Sequence, residues 1–242
     1  MGLAHSPLLV TNGLTFCLDA ANIKSYAGSG TSWLDISGLG ISASLQNSGS
    51  GTVTGTGGAT GYLDFAAPDA TSTVGYYLIN SSTLSSLTNE LTIETCVYVN
   101  NFYTSSGNTH ARPVSPRATE TYSPIGFGIF NGGITVEVNA SGNWFTGSYA
   151  NAAVTSGVWL YISQTTSNDA QAMKTYYNGA LVNTLSFTGT PSAGNGYLLG
   201  RGYYGGTLNY SGRIALFRVY NRALTANEIY QNFVAIRGRY GI

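Results

Sequence analysis

Residues 213 to 233, RIALFRVYNRALTANEIYQNF, change their period halfway along. Ala215, Phe217 and Val219 alternate with Ile214, Leu216, Arg218 and Tyr220, the two-residue repeat of a strand whose faces see different surroundings. After Asn221 the repeat becomes helical. Thr225 and Glu228 have the spacing of a capping box, in which the Thr hydroxyl accepts from the amide three residues on and the Glu carboxylate reaches back to the Thr amide. Ile229 and Phe233 then fall four apart on one face. This predicts a final strand that returns to the middle of a sheet beside the first strand. It also predicts a helix from Thr225 to Phe233 that closes an open rim.

Outward from this stretch the chain reads as strands separated by Gly, Ser, Thr and Asn clusters. GLTFCLDA (13–20) places Leu14, Phe16 and Leu18 on one face. TGYLDFA, GYYLIN, LTIETCVYVN, YSPIGFGIF, GGITVEVNA, GNWFTGSYA, VWLYISQTT, MKTYYNGALVNTLSF and GYLLGR follow before the final strand. Roughly a dozen such runs indicate an all-β, two-sheet antiparallel jelly-roll sandwich with a short C-terminal helix. Asn178-Gly179 suits the positive φ angles of a type I′ hairpin turn. The stretch 46–61, QNSGSGTVTGTGGATG, reads as a mobile loop or a loosely paired edge. Tyr103 to Pro124 holds His110, Arg112, Arg117 and three prolines, which predicts an inserted loop rather than a central strand. No linker divides the chain, so residues 1–242 are expected to form one domain, with the inserted loop at 103–124 and the helix and tail at 225–242.

Composition narrows the function. Of 242 residues, 8% are charged, Gly numbers 32 and Tyr 18, and the formal net charge is zero. That balance leaves no basic footprint for nucleic acid and no polybasic membrane patch. The 43% hydrophobic content argues against disorder. The opening MGLAHSPLLVTNG lacks the basic and long apolar regions of a signal peptide, so synthesis in a cytoplasm is expected. Cys17 and Cys96 lie in strand-like segments and read as free, half-buried thiols. With His5 and His110 in polar surroundings, no zinc spacing arises. Glu90 and Glu94, the nearest carboxylates on one strand, read as solvated edge charges. Nothing supplies the acid and nucleophile that a retaining glycosidase needs, and no catalytic activity is expected.

Binding groups are more plentiful. Trp144, Tyr149, Tyr203, Tyr204 and Tyr210 stand near Gly and Asn and are candidates for stacking on sugar C–H faces, against the alternative that such tyrosines line sheets and interfaces. Trp33 and Trp159 read as core. Asp19 with Asn22, and Asp35, could lend oxygens to calcium or cap turns. His110, Arg112, Arg117, Arg237 and Arg239 are candidates for assembly contacts, because interfaces favour Tyr and Arg over Lys and Glu, and lysine occurs only at Lys24 and Lys174. Arg237 and Arg239 either anchor the tail to a neighbour or offset the helix dipole.

Several segments carry a resemblance. GLTFCLDAANIKSYAGSGTSWLDISG, LDF at 63–65, LTIETCVYV, VWLYISQTT followed by TYYNGALV, and GRIALFRVYNRALTANEI resemble, in order, the laminin-G-like domains of the concanavalin A-like lectin and glucanase superfamily. LDAAN, YNRALT and RGRYGI look most like the laminin-G-like virion proteins of tailed phages, those of cyanophages especially. The resemblance implies a jelly roll with rim loops, used as a capsid decoration, fibre or adhesin on the virion surface. Its partners would be other virion proteins or copies of itself, in an oligomer or lattice, with a host surface glycan as a further ligand. A carbohydrate-binding lectin module of a bacterial cell-surface protein is the alternative. Where relatives read LDFDGVDDYV, this chain has LDFAAPDATSTVGYYLI, leaving only Asp64 and Asp69 of the acidic cluster. Calcium near Asp19 or Asp64 is therefore expected to be absent or weakly held, and no other cofactor is implied.

Overall fold

A computed structural model describes the chain except for residues 1–7, 47–51, 67–74, 86, 88–89, 103–110, 117–124, 131, 150–153, 192–195 and 203–209. Two antiparallel sheets of eight strands each face one another. Sheet A joins β14 (Ala180–Ser186), β13 (Ala172–Tyr177), β12 (Trp159–Ser167), β7 (Glu90–Asn101), β16 (Ser211–Tyr220), β5 (Tyr62–Ala66) and β4 (Thr52–Thr56) in that order, and β1 (Leu14–Asp19) also pairs with β16. Sheet B runs β11 (Asn143–Tyr149), β10 (Gly133–Ala140), β9 (Ile125–Phe130), β8 (Ala111–Pro116), β15 (Gly196–Leu199), β6 (Tyr76–Asn80), β3 (Ser42–Gln46) and β2 (Ser32–Leu34). A short helix α1 (Ser82–Ser85) joins β6 to β7. The last strand does return to the sheet interior beside the first. The stretch after Gln46 supplies the edge strand β4, the second of the two readings it allowed.

The core lies between the sheets. Phe16 and Leu18 of β1, Leu63 and Phe65 of β5, Ile93, Val97 and Val99 of β7, and Phe217 and Val219 of β16 meet Val136 and Val138 of β10, Phe127 of β9 and Tyr197 of β15. Trp33 is fully buried, edge-on to Tyr77 at 6.0 Å. At about 25 cal/mol per Å² of apolar area removed from water, an interior of this aromatic content is the main favourable contribution to folding.

Three expectations are corrected. Residues 111–116 form β8, an interior strand between β9 and β15, and not part of a loop. The prolines are tolerated because the register shifts between Ala111 and Val114, where Pro113 sits, and the Pro113 carbonyl accepts from the Gly200 amide at 2.9 Å. The alternation in β16 is also broken. A register shift between Ile214 and Leu216 leaves Ile214, Phe217 and Val219 in the core while Ala215 and Leu216 turn to the other face.

The third correction concerns the helix. Helix α2 spans Ala226–Tyr240, beyond the expected end, and lies across the outer face of sheet A rather than at a rim. Phe233, Ile236 and Tyr240 pack on Cys96 of β7, Tyr161 of β12 and Ala215 and Leu216 of β16, with Trp159 alongside. Trp159, expected in the core, therefore belongs to this second apolar layer, 4.6 Å from the Tyr240 ring. The helix ends at Gly241, whose φ of 70° is the left-handed conformation of a C-cap. Leu8 and Val10 are held against it. The Val10 amide donates to Asn232 Oδ1 at 2.8 Å, and Tyr220 Oη donates to the Val10 carbonyl at 3.1 Å.

The capping box forms as expected. The Glu228 amide donates to Thr225 Oγ1 at 3.3 Å and the Thr225 amide to Glu228 Oε2 at 2.9 Å, while Arg222 grips the same carboxylate with two nitrogens at 2.9 and 2.6 Å. The Arg222 guanidinium and the Thr225 donors hold the Glu228 carboxyl at about 2, below its ordinary 4.5. A depressed carboxyl contributes stability above its unfolded value that is lost as pH falls through the folded one. We therefore expect acid to loosen the start of α2 between about pH 4.5 and 2. Because the pair is partly exposed, the change should be under about 1 kcal/mol, and Glu228→Gln should flatten it in amide exchange followed against pH.

Candidate functional site

The outer face of sheet A carries most of the polar chemistry in the described residues. On β7 the positions Thr92, Glu94 and Cys96 alternate with Leu91, Ile93 and Val97, which point into the core. Glu94 is thus set under α2 and is 0% exposed. The reading of Glu94 as a solvated edge charge is overturned by this burial. Asn232 of α2 donates to both of its oxygens, at 3.2 and 3.0 Å, and Ser163 of β12 to one at 3.5 Å, while Arg218 of β16 stands 3.7 Å away. Burial pushes the Glu94 carboxyl up from its ordinary value, against the opposing pull of Arg218 and Asn232. Cys17 and Cys96 are free and fully buried rather than half-buried, and burial pushes both thiols up. Such groups are sealed from any substrate.

Beside this sealed network the face opens. A groove of about 390 Å³ is lined by Thr165 and Ser167 of β12, Ala172, Lys174 and Tyr176 of β13, and Leu224 and Thr225 at the start of α2. The strand period puts alternate residues of β12 and β13 on this side, and the turn into α2 supplies the wall. Ser167 Oγ donates to Glu90 Oε1 at 3.2 Å, so Glu90 braces the groove from behind. Tyr176 is almost wholly buried, and burial pushes its phenol up, which keeps it a donor. The lining offers hydroxyls, one ammonium and apolar patches, and no carboxylate. Sequence reasoning missed this groove, since its residues belong to three segments that converge only through sheet pairing.

The sequence-derived candidates are dispersed. Trp144 and Tyr149 lie on β11, opposite Asn139 and Ile134 of β10. Tyr203, Tyr204, His110 and Arg117 lie outside the described residues. Tyr210 is corrected: it is fully buried, with its hydroxyl donating to the carbonyls of Tyr98 and Arg213 at 3.0 Å each, and presents no face to a sugar. Arg112 is not free for assembly either, because it forms a two-pronged pair with Glu137 on β10. Arg239 donates to Asp19 Oδ2 at 2.8 Å, tying the last helical turn to β1, and Arg237 lies over the Phe233 ring at 6.0 Å.

The calcium candidates face arginine. Asp19 receives Arg239 and the Ala21 amide, and Asp64 receives Arg213 Nε at 3.0 Å, with that guanidinium stacked over Tyr62 and Tyr98. Calcium needs six to eight oxygens. Among the described residues no three or more acidic, His or Cys side chains converge, and Asp69 lies outside those residues. Asp35 does what turn residues do, accepting from the Cys17, Ser37 and Leu39 amides. Asn22 likewise accepts from the Lys24 amide.

A laminin G profile of the concanavalin A-like lectin/glucanases superfamily matches residues 69–230. Among curated proteins no relative matches. The fold is similar to the binding domain of botulinum neurotoxin DC, with a TM-score of 0.68 at 12% identity over 94% of this chain and 52% of that one. It is also similar to Trypanosoma rangeli sialidase, with a TM-score of 0.65 at 14% identity over 93% of this chain and 33% of that one. Domain 4 of AbnA, an extracellular arabinanase from Geobacillus stearothermophilus, in complex with arabinotriose, gives 0.61 at 16% identity, covering 90% of this chain and 97% of that domain. The chain thus spans about half the length of the toxin domain. At these identities the likeness is one of fold.

Proposed function

The chain belongs to the concanavalin A-like lectin/glucanases superfamily, and from that premise we propose that it is a non-catalytic recognition domain that binds a glycan. The observation that carries this reading is the groove of about 390 Å³ beside α2, with the Thr165, Ser167 and Thr225 side chains and Lys174 along it. Fixed hydroxyls and one cation around apolar patches suit the alternating hydroxyl and C–H surfaces of a sugar. The absence of a carboxylate from that lining, and the burial of Glu94, support binding without hydrolysis. The toxin binding domain and the arabinotriose-bound AbnA domain, similar in fold, support the choice of glycan as ligand.

The setting we propose is the surface of a tailed-phage virion, where the domain docks on copies of itself or on other virion proteins. The support is the resemblance of LDAAN, YNRALT and RGRYGI to phage virion proteins, together with a surface carrying only two lysines. Ala172→Trp, which fills the groove from an outward-facing strand position, tests the binding. We expect it to lower affinity on a glycan array by at least about tenfold with unchanged thermal stability and no release of reducing ends by either form. Equal binding by the two would move the site elsewhere. Co-sedimentation with particles lacking the protein tests the setting, and a monomer that ignores particles yet binds glycans would favour a bacterial cell-surface lectin module.

A further inference from the structure

Where α2 stops, the outer face of sheet A carries a row of partly exposed side chains. The last helical residue, Tyr240, has its ring 4.6 Å from Trp159, and its hydroxyl donates to the Gly61 carbonyl at 3.2 Å. Beyond it, cross-strand pairing lines up Asp64 of β5, Arg213 of β16, Tyr98 of β7 and Trp159 of β12, one residue from each of four adjacent strands. All four are partly exposed, whereas Leu63, Phe65, Val97, Val99, Leu160 and Ile214 beside them in sequence point into the core. Tyr62, two residues before Asp64, joins the row from the same face and is also partly exposed.

Arg213 is held at the centre of this row. Its Nε donates to Asp64 Oδ2 at 3.0 Å, and its guanidinium carbon stands 4.6 Å from the centre of the Tyr62 ring and 5.0 Å from that of Tyr98. Two rings and a carboxylate thus fix the guanidinium before any ligand arrives, which lowers the ordering cost of binding. Arg213 Nη1 and Nη2 and Asp64 Oδ1 have no hydrogen-bond partner among the described residues, and none of the three is sealed from solvent. The two side chains keep 32% and 24% exposure, so the row is open to a ligand from outside. We propose that it is a second binding site, which takes a sugar bearing a carboxylate, a uronic acid. The two free nitrogens of the fork match a planar carboxylate, Asp64 Oδ1 accepts from a sugar hydroxyl, and Tyr98 and Trp159 offer apolar surface to the C–H groups of the ring. Asp64 also selects the charge, because a dianionic phosphate would meet a like charge beside the fork while a singly charged sugar would not. The groove lies at the other end of β12, at Thr165 and Ser167, and neither site depends on the other.

Calorimetric titration of the full chain with methyl glucuronide, methyl glucoside, acetate and inorganic phosphate tests the assignment. The glucuronide should bind at least about tenfold more tightly than each of the other three, and Ala172→Trp should bind it as the wild type does. Arg213→Lys keeps the charge and loses the fork, and should weaken the glucuronide about tenfold with an unchanged thermal midpoint. Should that variant fail to fold, the ranking of the four probes on the wild type decides alone. Failure of the glucuronide to bind, equal affinity for glucuronide and glucoside, or undiminished binding by Arg213→Lys would overturn the proposal. Acetate or phosphate bound as tightly as the glucuronide would overturn it as well, since the sugar ring would then contribute nothing. Glucuronide binding lost in Ala172→Trp would place that ligand in the groove and sink the second site while leaving the first.

Discussion

Glu94→Leu should destabilise the protein by about 3–5 kcal/mol. The reason is what it leaves behind. Arg218 is 2% exposed, its Nε and Nη1 already lack hydrogen-bond partners, and among the described residues its one salt-bridge partner is Glu94. Removing the carboxylate strands a guanidinium in an apolar layer, deprives Ser163 of its acceptor and leaves Asn232 only the Tyr220 hydroxyl. The pair itself contributes far less than its rupture costs, because bringing two charges out of water offsets most of their attraction. Glu94→Leu/Arg218→Met should therefore recover most of the loss. Urea unfolding of the three proteins, with midpoints compared at constant slope, checks both statements. A single variant within about 1 kcal/mol of wild type would mean that water reaches the pair and that α2 does not seal it.

Phe233→Ala should cost about 3–5 kcal/mol and release α2 before the sandwich unfolds. Phe233 is 6% exposed, its ring is 5.9 Å from Tyr161, and it fills the space above the β13–β14 turn. Gly179 in that turn has a φ of 79°, and a Cβ there would come within 2.9 Å of the Phe233 ring. Helix and hairpin are therefore fitted to one another with no room for another atom. The truncation opens a cavity that the neighbouring strands, tied in their ladders, cannot close. Hydrogen exchange should locate the change. The α2 amides and the Val10 amide bonded to Asn232 should lose protection together, while β7 and β12 keep theirs. Loss of protection throughout the sheet at the same rate would show that α2 has no independent opening.

These two residues also mark where sequence reasoning stops. Local signals were legible: the two-residue period of the strands, the Thr225–Glu228 capping box, and Asn178-Gly179, whose φ angles of 47° and 79° match the expected turn. Each is decided by atoms within a few residues, so composition and spacing alone determine it. The sequence by itself therefore determined that the protein is a β sandwich ending in a capped helix. Placement was another matter. That α2 lies over a sheet face, that Glu94 is sealed beneath it, and that Arg239 meets Asp19 and Arg112 meets Glu137 depend on contacts between residues 25 to 220 positions apart. A carboxylate or a tyrosine has the same letter on a wet edge and in a dry layer. Only the tertiary structure decides which, because burial is set by what the rest of the chain lays on top. The same holds for the groove beside α2, built by cross-strand pairing of residues whose own neighbours in sequence face the other way.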